Sequence, residues 1–294
     1  MDEQAALSLI GASVEGAGDD AAVVDGTVLT IDMLHERADF PPGTSRYTAG
    51  WHAVGISLSD VAGMGGNATA AVAALGAPSF EEAELADFVE GAQDVATAVG
   101  ADYVGGDLDD HQEFTVATAA IGDAPNPVYR DGASPGEVVC VTGSLGRSAA
   151  GVKAFESGAI ATGNDCFQFT PRIAAGQILA DHATAMMDVS DGVARSLHQL
   201  GAASEVGFSI DGAAVPIDER LSTYLEVAAE PLETALTYGG DFELLCTLPE
   251  EAVETIEESL SVQFSVIGRV TEPGAGITLD GEPLPDEGYT HGAE

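Results

Sequence analysis

The sequence predicts an α/β protein of two domains joined near residues 123–136. Apolar runs of strand character alternate with helical spacing on both sides of that stretch. The stretch itself, Asp123 to Glu137, is polar and punctuated by Pro and Gly, which favours a connection over an element. The 294 residues are twice a common domain length, and 45% hydrophobic residues supply ample core. The expected units are 1–125 and 133–294.

Residues 21–32, AAVVDGTVLTID, read as two strands around Asp25-Gly26, a hairpin turn signal. Residues 46–64 read as a helix and 67–76 as a strand. Ser79-Phe80-Glu81-Glu82 has capping-box spacing and predicts a helix running to about 99. Strands are expected near 102–105 and 113–122, and EVVCVTG (137–143) as a strand ending in a Gly-rich turn. Thr170-Pro171 predicts an N-cap with proline at the first helical position. A strand (184–189), a helix (191–204) and a strand (207–210) follow, then further α/β alternation to about 270.

Charge narrows the function classes. Nine basic residues face 49 acidic ones, a formal net charge of −40, and the sole lysine is Lys153. Such repulsion destabilises a compact state at low salt, and concentrated salt screens it. The acidity is spread along the chain, so a salt-rich cytoplasm is the expected setting. Nine scattered cations assemble no basic patch, which argues against nucleic acid as a partner. Cys140, Cys166 and Cys246 are far apart and form neither a disulfide framework nor a zinc site. No basic n-region precedes an apolar stretch, and no run of about 18 apolar residues occurs, so a soluble, cytoplasmic protein is expected. The six histidines show no metal-ligand spacing and are expected to be structural or on the surface.

Acidity alone points to no chemistry, but context does. Aspartates end apolar or Gly-rich strands in GDDA (18–21), TID (30–32), SLSD (57–60), GGD (105–107) and MMDVSDG (186–192). A carboxylate in such a place needs a cation or donors beside it, and basic residues are too few. Magnesium, which takes carboxylate oxygens together with substrate phosphates, fits that inventory. The glycines of VGGD let backbone N–H groups approach a phosphate, and a helix opening at Asp191-Gly192 aims its positive end at an anion. TGSLGRSAAG (142–151) matches neither GxxxxGK[ST] nor GxGxxG and reads as a strand-to-helix turn. Lys153 lacks the context of a P-loop or protein-kinase lysine, so phosphate charge falls to magnesium, backbone amides and arginines, Arg130 foremost.

GDDAAVV, TIDMLHERADF, GWHAVGISLSDVAGMGG, YVGGD, MMDVSDGVARSLHQL and YGGDFELL stand in this order over nearly the whole chain. In this the sequence resembles the thiamine-monophosphate kinases of the aminoimidazole ribonucleotide synthetase superfamily. The resemblance implies an N-terminal domain whose strands form a barrel across a homodimer, and a C-terminal α/β domain. It implies several magnesium ions on Asp20, Thr30, Asp32, Asp60, Asp107, Asp188 and Asp191. ATP contacts would include Gly106, Asp107, Arg130 and Ser190, and contacts to thiamine monophosphate would fall at Asp39, Asp241 and Tyr289. The chain departs from the family pattern at Ile31, where a hydroxyl is usual, at Asp39, where histidine is common, at Gly240, where an acidic residue is lost, and at Gly292, where an aromatic is usual.

The activity so implied is in-line transfer of the ATP γ-phosphoryl group to an acceptor phosphate already anionic at neutral pH, which requires no general base. Two alternatives stand beside it: another ATP-dependent synthetase of the superfamily, or a non-catalytic nucleotide-binding protein.

Overall fold

The computed structural model describes residues 9–290, apart from 12, 15 and 226–229. Its first half is β1 (Ala22–Val24), β2 (Thr27–His35), α1 (Arg46–Gly63), β3 (Asn67–Ala77), α2 (Glu82–Ala98), β4 (Asp102–Asp110) and β5 (Thr115–Asp123). These strands form one open sheet in the order β1-β2-β5-β3-β4, antiparallel except for the parallel pair β3/β4. The β1–β2 hairpin turns on Asp25 and Gly26, both at positive φ, as the Asp-Gly signal requires.

One face of this sheet is covered by α1, against which α2 packs. Gly50 and Gly91 let the two helices touch: a Cβ on Gly50 would overlap the Phe88 carbonyl, and one on Gly91 the Tyr47 carbonyl. Strand β2 alternates accordingly, with Val28, Thr30 and Leu34 buried beneath α1 and Leu29, Ile31 and Met33 on the opposite face. That opposite face stays open, and Val72 of β3 and Val104 of β4 extend its apolar surface.

The second half is β6 (Val138–Thr142), α3 (Arg147–Glu156), α4 (Ile160–Phe167), α5 (Ile173–Leu179), β7 (Ala185–Asp188), α6 (Val193–Ser204), β8 (Gly207–Ile210), α7 (Pro231–Thr237), β9 (Leu244–Leu248), α8 (Val253–Ser259), β10 (Phe264–Thr271), β11 (Ile277–Leu279) and β12 (Glu282–Pro283). The sheet order is β12-β11-β8-β10-β6-β9-β7. Strands β6, β7 and β9 are buried along their whole length, which explains their unbroken apolar runs. Their alternate residues enter two cores. Val138, Cys140, Met186 and Cys246 join Leu58, Val61 and Leu179, while Val139, Val141, Met187 and Leu245 meet Leu197 and Leu200 of α6. One hydrophobic core therefore runs across the boundary between the two halves. Residues 124–137 carry no helix or strand, but Ala124, Val128 and Ala133 are buried.

Two local expectations are corrected. Helix α2 begins at Glu82 with Glu81 as its N-cap and no side-chain cap, so Ser79 closes no capping box. Helix α5 begins at Ile173 after Arg172, not at Pro171. Among the described residues neither sheet closes on itself, so these strands form no barrel within one chain. Among the described residues no helix is long and apolar enough to cross a membrane.

Candidate active site

Four aspartates meet where the two sheets approach. Asp32 lies on β2, Asp60 near the end of α1, Asp188 at the end of β7 and Asp20 just before β1. Each carboxylate is engaged by a protein donor. Thr30 Oγ1 donates to Asp60, Ser57 Oγ to Asp32 at 2.6 Å, and Ser59 Oγ to Asp188 at 2.7 Å. Asp20 accepts from the Asp188 backbone N–H at 2.8 Å and from Arg130 at 2.6 Å. Gly63 allows this convergence, since a Cβ there would overlap the Asp20 carboxylate and crowd the Asp188 amide.

The cluster is electrostatically unbalanced. Burial, then the like charges of Asp32, Asp188 and Asp20, hold the Asp60 carboxyl well above the usual carboxylate range. Burial, then Asp20, does the same to Asp188, and burial raises Asp32. Against four carboxylates the protein sets one guanidinium, Arg130, whose buried Nε has no partner among the described residues. Among those residues no three His, Cys, Asp or Glu side chains are drawn together tightly enough to hold a metal ion as they stand. Their carboxylates are turned onto hydroxyls and amides instead. The donor set is all oxygen, buried and short of positive charge, which is the chemistry a hard divalent cation such as magnesium satisfies.

A cleft of about 800 Å³ opens beside this cluster. Asp32, Asp39, Ser190, Asp191 and Tyr289 line it, as do Phe40, His52, Phe167 and Phe242. Three backbone bonds tie the 188–192 loop to residues 240–243: Val189 N–H to Glu243 O, Phe242 N–H to Val189 O, and Gly240 N–H to Ser190 O. Tyr289 is fixed over the loop by its N–H on the Asp191 carbonyl at 3.0 Å, and its hydroxyl stands 3.4 Å from Asp39. Asp39 also accepts from the His35 amide at 2.6 Å. Arg195, paired with Asp286 at 2.5 Å, anchors the segment that carries Tyr289.

Three expected positions lie elsewhere. Asp241 is not in the cleft: it is buried with its carboxylate on the amides of Gly146 and Ser148, closing the N-terminus of α3. TGSLGRSAAG is a strand-to-helix turn, as expected, and the protein's own carboxylate occupies the helix end it opens. Gly106 and Asp107 lie on the edge strand β4, three strands from Asp32. Gly106 shares the cross-strand row of Asp32, Thr118 and Ala73, while Asp107 pairs with Ala74 on the open face. Within one chain Asp107 therefore cannot join the cluster. Of the departures, Ile31 points to the open face, Gly240 adopts φ 89° against Ser148, and Gly292 falls outside the described residues.

Two features of the site lie outside the expected site residues. Ser57, Ser59 and Thr118 form the hydroxyl layer holding the aspartates; the SLS spacing on α1 carries that signal. His52, expected to be structural or on the surface, is a buried, packed ring that also borders the cleft.

This combination, two α/β sheets with acidic strand ends meeting at a cleft, defines a recognisable class. Residues 18–124 match the family of AIR synthase related proteins in its N-terminal domain, and 134–280 match its C-terminal domain. The chain is 60% identical to the thiamine-monophosphate kinase of Halobacterium salinarum over 99% of its own length and 100% of the relative's. It is 39% identical to that of Methanospirillum hungatei over 99% of both chains. The solved structure of AaThiL complexed with AMPPCP and TMP superposes with a TM-score of 0.89 at 28% identity, covering 99% of this chain and 97% of that one. The chain belongs to the thiamine-monophosphate kinase family and is an enzyme of the kinase class.

Proposed function

We propose that the protein transfers the γ-phosphoryl group of ATP directly, in line, to the phosphate of thiamine monophosphate, giving thiamine diphosphate. The observation that carries this is the buried cluster of Asp20, Asp32, Asp60 and Asp188 with a single counter-cation, set against a cleft of about 800 Å³. The relatives' names, and the nucleotide analogue and TMP named for the solved neighbour, support the two substrates.

Asp20, Asp32, Asp60 and Asp188 would hold several magnesium ions, with Thr30 and Asp191 beside them. Bound there, magnesium would neutralise polyphosphate charge as it shifts between donor and acceptor. The chain's own residues do the rest by position. Thr30, Ser57 and Ser59 fix the carboxylate orientations. Arg130 and Ser190 stand where a nucleotide phosphate would meet the cluster, while Asp39 and Tyr289 border the acceptor cleft. No base is required, because the acceptor oxygen is already anionic.

Gly106 and Asp107 enter this scheme only from a second subunit. The open face bearing Leu29, Ile31, Met33, Val72 and Val104 is apolar, and we propose that it pairs with its copy in a homodimer whose strands together form a barrel. Residues 1–125 then form the ATP-, magnesium- and dimer-binding unit and 133–294 the C-terminal unit of a cytoplasmic enzyme. Acceptor competition tests the reading: turnover with thiamine monophosphate and none with unphosphorylated thiamine supports it. ATP consumption indifferent to either compound would overturn it.

A further inference from the structure

Among the described residues that border the cleft, His52 carries a polar atom for which the fold supplies no partner. His52, on α1, is 7% exposed and borders the cleft. Its ring stacks on Phe167 at 4.9 Å between centroids and meets the edges of Phe169 at 5.5 Å and Phe242 at 5.7 Å, so it is clamped. Nδ1 lies 2.9 Å from the Phe167 carbonyl oxygen. A carbonyl can only accept, so Nδ1 carries the hydrogen. Burial, with Arg147 adding to it, pushes the imidazole down to about 4, so the ring is neutral at working pH. The lone pair therefore sits on Nε2, for which the described residues provide no hydrogen-bond donor.

We infer that His52 Nε2 is the specificity-determining acceptor for an N–H group on the heteroaromatic end of the phosphorylated acceptor. The inference rests on the reading of the cleft as the acceptor site. Phe40, Phe167 and Phe242 line the same wall, so a flat ring packs there while its amino group donates to Nε2. A desolvated lone pair rejects any group that offers it another lone pair, so this contact discriminates between ring edges. The aminopyrimidine of thiamine monophosphate has the required donor. Its 4′-oxo analogue, oxythiamine monophosphate, puts a carbonyl in the same place. Pinned by Phe167, the imidazole cannot offer that carbonyl a hydrogen from Nε2.

Two measurements test this, and wild-type turnover of thiamine monophosphate is read first. Its absence sinks the broader reading and this one with it. With turnover established, the wild type should favour the amino over the oxo substrate by about 10- to 100-fold in kcat/KM. His52→Phe keeps the ring and removes the acceptor. It should narrow the preference to about threefold or less, acting more on the acceptor KM than on kcat, with the ATP KM within about twofold. The second measurement uses the unaltered protein, so it does not depend on the variant folding. The ¹⁵N resonance of His52 Nε2 should move upfield on saturation with thiamine monophosphate and not with the oxo analogue. Undiminished discrimination by folded His52→Phe, or an Nε2 resonance unmoved by a substrate that turns over, would overturn the inference alone.

Discussion

Asp188 donates its backbone N–H to Asp20 Oδ2 at 2.8 Å, joining a strand end of the second sheet to the segment that enters the first. The contact seats the Asp20 carboxylate on the main chain of Asp188, and both side chains are inaccessible to bulk water. The site is therefore built on the seam between the two sheets, and its assembly is inseparable from the core they share.

Neutralising one member separates charge from shape. Asp60→Asn retains the volume and removes a carboxyl that burial and its acidic neighbours push well above the usual carboxylate range. We expect kcat to fall by about 10³-fold or more while the thermal stability of the metal-free protein holds or rises. Steady-state kinetics and calorimetry in EDTA measure the two. Near-normal turnover would remove Asp60 from the ligand set.

Gly63 makes the seam possible, so Gly63→Ala should act on it sterically. The added methyl overlaps the Asp20 carboxylate, and destabilisation of about 1–3 kcal/mol is expected in urea titrations, with lost activity. A silent substitution would mean that the end of α1 relaxes freely.

The acid side of the stability profile should carry the His52 signature. The unfolded chain protonates this imidazole near the ordinary 6.5, whereas the folded chain resists until about 4. Its contribution is present above 6.5 and is lost as pH falls toward 4, a loss on the order of 3 kcal/mol. The buried carboxylates titrate in the opposite sense, so the quantity to follow is the difference between wild type and His52→Phe. That difference should shrink as pH drops from 7 to 4, and a flat difference would contradict the neutral, buried ring.

Dimerisation is tested on the open face. Ile31→Asp places a charge at its most exposed apolar side chain, on the side of β2 opposite Asp32. Sedimentation should show monomers, and activity should fall about 10²-fold because Asp107 no longer reaches the cluster. A fully active monomer would show that one chain suffices.

With a net charge of −40, the folded chain should need salt before it needs substrate. The midpoint of thermal unfolding should rise by about 10 °C or more between about 0.2 M and about 2 M KCl, as screening shortens the reach of repulsion. Independence from salt would place the acidity in locally compensated pairs.

Much of this was legible in the sequence, for identifiable reasons. The Asp-Gly hairpin, α1 and the buried strands β6, β7 and β9 follow from local chemistry and apolar runs that tertiary packing reinforces. Asp32, Asp60 and Asp188 stood out because carboxylates ending apolar segments need a reason to be there. Three-dimensional parity was not legible. An extra residue in β4 between Tyr103 and Gly106 shifts the register, so Gly106 rather than Gly105 pairs with Ala73 and Asp107 turns outward. Asp241 likewise looked like a ligand contact, and only the fold shows the amides of α3 waiting for it. His52 carried no motif at all; its meaning lies in the phenylalanines that two distant segments bring around it.

The most direct test follows ³¹P resonances in molar KCl with ATP, magnesium and thiamine monophosphate. The account predicts that the γ-phosphate signal of ATP declines as ADP and thiamine diphosphate appear in equal amounts, and that EDTA stops the exchange. ADP accompanied by free phosphate, or transfer that persists without metal, would contradict it.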